Sequence, residues 1–356
     1  MTVGLLHRIA RARLASQVIR RLRQAGVTDA RYQSVAFAVR FTRPGADKPT
    51  VLPLDPLLAV AKRRRGRRAR VSTFVTGYLA EPALPDSWDE VRPMLRPLLR
   101  PSHLRGGIPA DGPDAPLRRS RLPFLSEFVV VDLPESMTYV GADQLSHWGV
   151  PADEVFAAAC GNLTGAVLKG VAGEPTIVQF TGDDNAYWTS HLLLDGWLAR
   201  LAPQVGGDPV AFAPDHATLI VAAAGSAHLP ELFARSEMIY LASPRAITPM
   251  AYISDDRGRT VPFAPKPGDP MYQCVRRARI IQRVQEFTRQ AETLPGAEAL
   301  TLVAGLRTRT VARLDALLPP ADEVDWDGAI MPWQEVVSAL TRVPDLDPPR
   351  WTRRLE

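Results

Sequence analysis

Pro209-Val210-Ala211-Phe212 and, after a five-residue break, Thr218-Leu219-Ile220-Val221-Ala222 form the stretch that decides the fold. Both runs are apolar, the second is rich in β-branched side chains, and no helix separates them. A parallel pair would need a longer crossover, so the strands are expected to pair antiparallel. Upstream, further strands are predicted at Phe124 to Val131, Thr138 to Val140 and Pro175 to Phe180. Downstream, Ile247 to Ile253 and Thr260 to Phe263 read as a hairpin across Asp255-Asp256-Arg257-Gly258. Helices are predicted after Pro151, with Val155, Phe156, Ala159 and Leu163 on one face, and around Pro230 to Met238. Another is expected to start at Gly182-Asp183-Asp184-Asn185 and run through Leu201, with Tyr187, Leu194, Trp197, Leu198 and Leu201 on one stripe. Helices and strands without steady βαβ alternation predict an α+β fold of two units, with mainly antiparallel sheets flanked by helices.

Outward to the N-terminus, Leu14, Ala15, Val18, Ile19, Leu22 and Ala25 fall on one helical stripe, opposite Arg13, Ser16, Gln17, Arg20, Arg21, Arg23 and Gln24. A hairpin is predicted to follow, with one arm at 32–41 and the other at 50–52. A short helix at Pro56 to Ala61, the run Lys62-Arg63-Arg64-Arg65-Gly66-Arg67-Arg68-Ala69-Arg70 and a helical pattern from Val71 to Leu79 come next. Outward to the C-terminus, Asp269-Pro270 suits the start of a long helix to Leu294, residues 300–317 fit helix or strand, and Pro332 opens a last short helix. The expected organisation is a basic helix-hairpin-helix unit over 1–100, a Pro/Gly-rich linker or loop over 101–120, a larger α+β domain over 121–266 and a mainly helical extension over 267–356.

A chain of 356 residues with 46% hydrophobic and 23% charged residues is a folded protein, and it is long enough for two cores. Two cysteines, Cys160 and Cys274, exclude a disulfide framework and a thiolate-rich zinc site, which fits a reducing compartment. No apolar run approaches the length of a membrane span, and Arg8, Arg11 and Arg13 interrupt any signal-peptide core. The net charge of +5 conceals an asymmetry. Residues 1–100 hold 20 Lys and Arg against 7 Asp and Glu, whereas the remaining 256 hold 23 against 31.

Val129-Val130-Val131-Asp132-Leu133-Pro134, Leu145-Ser146-His147-Trp148-Gly149-Val150 and Asp184-Asn185-Ala186-Tyr187-Trp188-Thr189-Ser190-His191-Leu192-Leu193-Leu194 carry a resemblance. With the strand pair over 210–221, they resemble the YtpQ-like family of bacterial proteins of unknown function over residues 12–265. The resemblance implies an α+β fold and a cytosolic bacterial setting, and no mechanism. The insert at 101–120 and the segment 266–356 depart from the family's pattern.

Asp184, Trp188, His191 and Asp195 are spaced 4, 3 and 4, which places them on one face of the predicted helix. Two carboxylates and an imidazole would then supply up to three metal ligands, with His216 or Asp215 as a fourth. The plainer reading gives Asp184 to the helix dipole and makes His191 and Asp195 an exposed i,i+4 pair. Gly225-Ser226-Ala227-His228 is not a nucleophile elbow, and Gly170-Val171-Ala172-Gly173 is not a phosphate loop. Cys160 and Cys274 are expected to be small core residues.

The sequence therefore reads as a cytosolic binding protein without a cofactor, an adaptor or chaperone-like factor that recognises another protein with an acidic surface. Its expected contacts are Lys62, Arg63, Arg64, Arg65, Arg67, Arg68, Arg70 and Trp188, the last lying off the apolar stripe. Two alternatives stand beside this reading: a metal-assisted hydrolase using Asp184, His191 and Asp195, and a nucleic-acid-associated protein using the basic block.

Overall fold

The computed structural model describes residues 2–34, 37–43, 49–54, 57, 67–79, 84–104, 115–133, 137–163, 174, 176–181, 187–344 and 346–353. The fold is α+β, in two compact units. The smaller unit holds residues 1–86 with two short later segments, 105–108 and 132–138. Its first helix, α1 (Thr2–Gln24), begins twelve residues before Leu14, the first residue of the predicted stripe. Of the predicted stripe, Leu14, Ala15, Val18 and Leu22 are at most 1% exposed and Ile19 is half-buried, while Ala25, just past the helix end, is exposed. The buried side chains join a core with Phe37, Val39, Phe41, Leu52, Leu54, Val71 and Val75. Strands β1 (Arg31–Gln33), β2 (Ala38–Thr42) and β3 (Pro49–Pro53) form an antiparallel sheet in that order. The expected single strand over 32–41 is thus two strands. Phe37, buried and at φ 47°, lies between them in the left-handed region. The Asp29 carboxylate takes the Thr42 N–H at 2.9 Å and the Thr42 hydroxyl at 2.6 Å, so the approach to β1 is tied to the end of β2. These hydrogen bonds hold the Asp29 pKa below the usual carboxylate range. Helix α2 (Arg67–Leu79) packs against α1 and completes the unit.

The boundary expected at residue 100 lies earlier. Strand β4 (Leu95–Pro101) belongs to the larger unit, where it pairs with β6 (Leu125–Asp132) over seven residues. On the other side of β6 runs β5 (Arg118–Leu122), so the linker or loop expected over 101–120 ends in a strand. A short strand, β7 (Met137–Tyr139), ends on Tyr139, whose ring meets Phe128 edge to face at 5.7 Å. Helices α3 (Ala142–Trp148) and α4 (Ala152–Asn162) follow, and Val155, Phe156 and Ala159 of α4 are buried as predicted.

The strand pair that decides the fold lies at the centre of a five-stranded sheet. Strands β8 (Val178–Thr181), β9 (Pro209–Asp215), β10 (Thr218–Ala223), β11 (Ala251–Ser254) and β12 (Thr260–Pro262) are ordered β12-β11-β9-β10-β8, and all their pairings are antiparallel. Val210, Ala211, Phe212, Leu219, Ile220 and Val221 are wholly buried in the largest core. Helix α5 (Leu229–Ala242) packs on β9, with Phe233 edge to face on Phe212 at 5.0 Å.

The C-terminal extension opens on the expected long helix, α6 (Tyr272–Thr293), and continues into strands that the sequence left open or did not show. Strands β13 (Thr301–Val303), β14 (Arg307–Val311), β16 (Glu323–Trp326) and β17 (Ala329–Pro332) form one sheet. Strands β15 (Leu317–Leu318), β18 (Leu340–Arg342) and β19 (Trp351–Arg353) form another. The pairing of β14 with β16 is the one parallel strand pair among the described residues. The last predicted helix is only an α-turn at Trp333–Val336 and a 3-10 turn at Val337–Ala339.

Candidate functional site

The mid-chain residues do not assemble as one helical face. Asp184 lies outside the described residues. Trp188–Leu193 is a 3-10 helix, and Asp195 sits in the turn that follows rather than one helical turn above His191. His191 is 1% exposed, with Nδ1 3.0 Å from the Tyr187 carbonyl oxygen. Its ring stacks on Trp188 at 5.2 Å and meets Trp197 at 4.9 Å, while Phe180 lies 4.8 Å from Trp188. Asp195 is exposed, so the expected exposed pair with His191 does not form. Trp188, expected to be a surface contact, is half-buried against the main core. His216 Nε2 lies 3.1 Å from Arg245 Nη1, and Asp215 Oδ1 accepts the Ala217 N–H. Among the described residues, no three His, Cys, Asp or Glu side chains come together to hold a metal ion.

Nor do the thiol and hydroxyl candidates make a nucleophile. Cys160 Sγ donates to Glu127 Oε1 at 3.2 Å, and burial followed by the Glu127 charge pushes its pKa up to about 12. A protonated thiol of this kind is a hydrogen-bond donor, not a reactive thiolate. Glu127, fully buried on β6, also receives Arg119 at 2.7 Å and has Arg121 at 3.6 Å. Ser226 Oγ accepts the His228 N–H at 3.3 Å, and the His228 ring lies 3.8 Å from Glu231 rather than on the serine.

The basic unit presents a different kind of site. Lys62, Arg63, Arg64 and Arg65 lie outside the described residues, whereas Arg67, Arg68 and Arg70 fall in the first turn of α2, of whose side chains nothing is described. No acidic residue offsets them in that turn. On α1, Gln17, Arg20, Arg21 and Gln24 line an open cleft of about 460 Å³, closed on its other side by Val71 and Ser72 of α2. Their spacing of 3, 1 and 3 puts the four on one helical face. Arg21 Nη1 donates to Gln24 Oε1 at 3.4 Å.

Arg13, Arg20, Arg21 and Arg23 are all exposed, and none forms an ion pair among the described residues. Many arginines of the larger unit contrast with them. Arg259 lies 2.7 Å from Asp255, Arg277 2.7 Å from Glu237, and Arg307 and Arg309 2.7 and 2.8 Å from Glu323. The polar stripe that forms the cleft wall was legible in the sequence. The helical pattern of its partner α2 was legible too, over 71–79, but not the packing against α1 that turns a solvated helix face into a cleft.

No protein-family model, curated protein or solved structure matches this chain. Among the described residues, no helix is long and apolar enough to cross a membrane. The functional reading therefore rests on the geometry of the chain itself.

Proposed function

We propose that this chain is a binding protein that holds an acidic protein partner through its basic N-terminal unit. The observation that carries the reading is the α1–α2 cleft, where Arg20 and Arg21 are exposed and have no carboxylate partner among the described residues. Residues 1–86 hold 17 Lys and Arg against 5 Asp and Glu, so the cleft lies in a field of one sign. Such a field draws in acidic surfaces quickly and loses its reach as salt shortens the Debye length. The two thiols, neither in a disulfide, suit a reducing cytosolic setting.

Anisotropy of a labelled acidic protein against the full chain tests this reading. Binding is expected at low ionic strength and should weaken about tenfold or more at 0.5 M salt. Binding of a neutral protein of equal size with the same affinity would remove it. Nucleic acid is the second reading, and the seven cationic residues among the nine of 62–70 are what favour it.

A further inference from the structure

The lining of the α1–α2 cleft combines two kinds of group. Arg20 and Arg21 offer guanidinium forks, which match carboxylates bidentately. Gln17 and Gln24 offer amides that both donate and accept. A phosphate backbone presents acceptors only, so the Gln17 carbonyl oxygen would have nothing to accept from it, while that of Gln24 already takes Arg21 Nη1 at 3.4 Å and has one lone pair left. A peptide backbone presents an N–H and a C=O at nearly every residue and uses both halves of each amide. Val71, 5% exposed, adds a small apolar contact, and the half-buried Ser72 carries a hydroxyl.

The dimensions agree. Gln17 and Gln24 are seven residues apart on α1, a rise of about 10.5 Å. An extended chain rises about 3.3 Å per residue, so the two amides bracket about three residues of strand-like peptide. Side chains on alternate residues of that peptide point the same way, which directs two carboxylates to the arginine side of the cleft.

We infer that this cleft seats a short extended acidic segment of the partner protein, its carboxylates on Arg20 and Arg21 and its main-chain amides on Gln17 and Gln24. The inference rests on the proposed reading of the basic unit as the holder of an acidic partner. It adds the form in which the partner is recognised.

The test uses the full chain and three labelled probes in anisotropy titrations at low salt: hexaglutamate, hexaglutamine and a single-stranded hexathymidylate. Three double variants accompany the parent chain. Arg20→Lys with Arg21→Lys keeps the charge and removes the forks. Gln17→Ala with Gln24→Ala removes the amides. Arg23→Lys with Arg31→Lys changes two exposed arginines of the same unit that do not line the cleft.

Hexaglutamate should bind the parent, bind the first two variants about five- to tenfold more weakly, and bind the third as it binds the parent. Hexaglutamine should not bind measurably. If the first two variants hold hexaglutamate as tightly as the parent does, the seated segment is wrong, while the broader reading of an acidic partner held by charge survives. If the parent does not bind hexaglutamate at all, that broader reading fails and takes the inference with it. If hexathymidylate binds more tightly and displaces the peptide with the same dependence on Arg20 and Arg21, the cleft belongs to nucleic acid and the inference is overturned.

Discussion

Glu127 shows how a single buried charge is accommodated here. Fully desolvated on β6, it is stabilised by Arg119, by Arg121 and by the Cys160 thiol. Arg119 and Arg121 are about a third exposed, which weakens the pairing relative to an enclosed one. Replacing Glu127 by Gln should cost about 1–3 kcal/mol in urea unfolding, because the guanidinium donors lose a charged acceptor in a buried setting.

The same replacement should lower the Cys160 pKa from about 12, since the Glu127 charge is its second largest cause after burial. The rate of Cys160 alkylation against pH reads that shift. Linkage gives a companion outcome. The native thiol holds its proton between the ordinary thiol value of 9.0 and about 12, where the unfolded thiol releases it. The native state thus binds more protons than the unfolded state in that window, so stability falls as pH rises through it. Cys160→Ala should flatten the loss of urea midpoint above pH 9.

Arg350 is the opposite case, a buried guanidinium held by neutral groups. It is fully buried, and its donors reach Gln290 Oε1 and the carbonyls of Phe287, Glu298 and Leu317 at 2.6–2.9 Å. Burial pushes its pKa down to about 10. Arg350→Met removes the charged donors from Gln290 Oε1 and three carbonyls, of which Leu317 keeps the Glu298 N–H, and should destabilise the protein by about 1–3 kcal/mol, whereas Arg350→Lys should recover only part of that loss.

At the scale of elements, the apolar stripe of α1 and the central pair β9–β10 were readable because they bury one uniform set of side chains. Leu22→Ala should therefore cost about 2–5 kcal/mol and speed amide exchange in β2 and β3 far more than in β9 and β10, because the two strand groups share no core cluster.

Other elements were hidden for identifiable reasons. Strand β4 carries Pro97 and Pro101, which argue against a strand in one-dimensional reading. It tolerates them because it pairs with β6 alone, at the edge of its sheet. The segment Trp188–Leu193 has the composition of a helix but winds as 3-10, so side chains four apart no longer coincide and the His191–Asp195 face dissolves. Helix α6 buries polar side chains beside its apolar ones: Gln282, Glu286, Arg289 and Gln290 are at most 6% exposed. Tyr240 donates to Glu286, and Arg289 pairs with it. Sequence patterning assigns polar residues to water unless a buried network supplies their partners, and such networks come from distant segments.

Over the whole molecule, the cleft residues Gln17, Arg20, Arg21 and Gln24 were visible in the sequence as the polar side of an amphipathic helix. The run 62–70 is the denser signal along the chain, since charge density can be read in one dimension and concavity cannot. The charge map ties the scales together. Residues 1–100 carry an excess of 13 positive charges, and the remainder an excess of 8 negative ones. Carboxylates of the larger unit neutralise many of its own arginines, as at Glu323 and Glu237, while Arg13, Arg20, Arg21 and Arg23 of α1 are left to the solvent.

Calorimetric titration of poly-glutamate into the full chain, beside a variant with Arg13, Arg20, Arg21 and Arg23 all replaced by Gln, tests the central claim most directly. The parent should bind, and the variant, with its fold unchanged by circular dichroism, should bind about tenfold more weakly or worse. Equal affinity in parent and variant would contradict the claim.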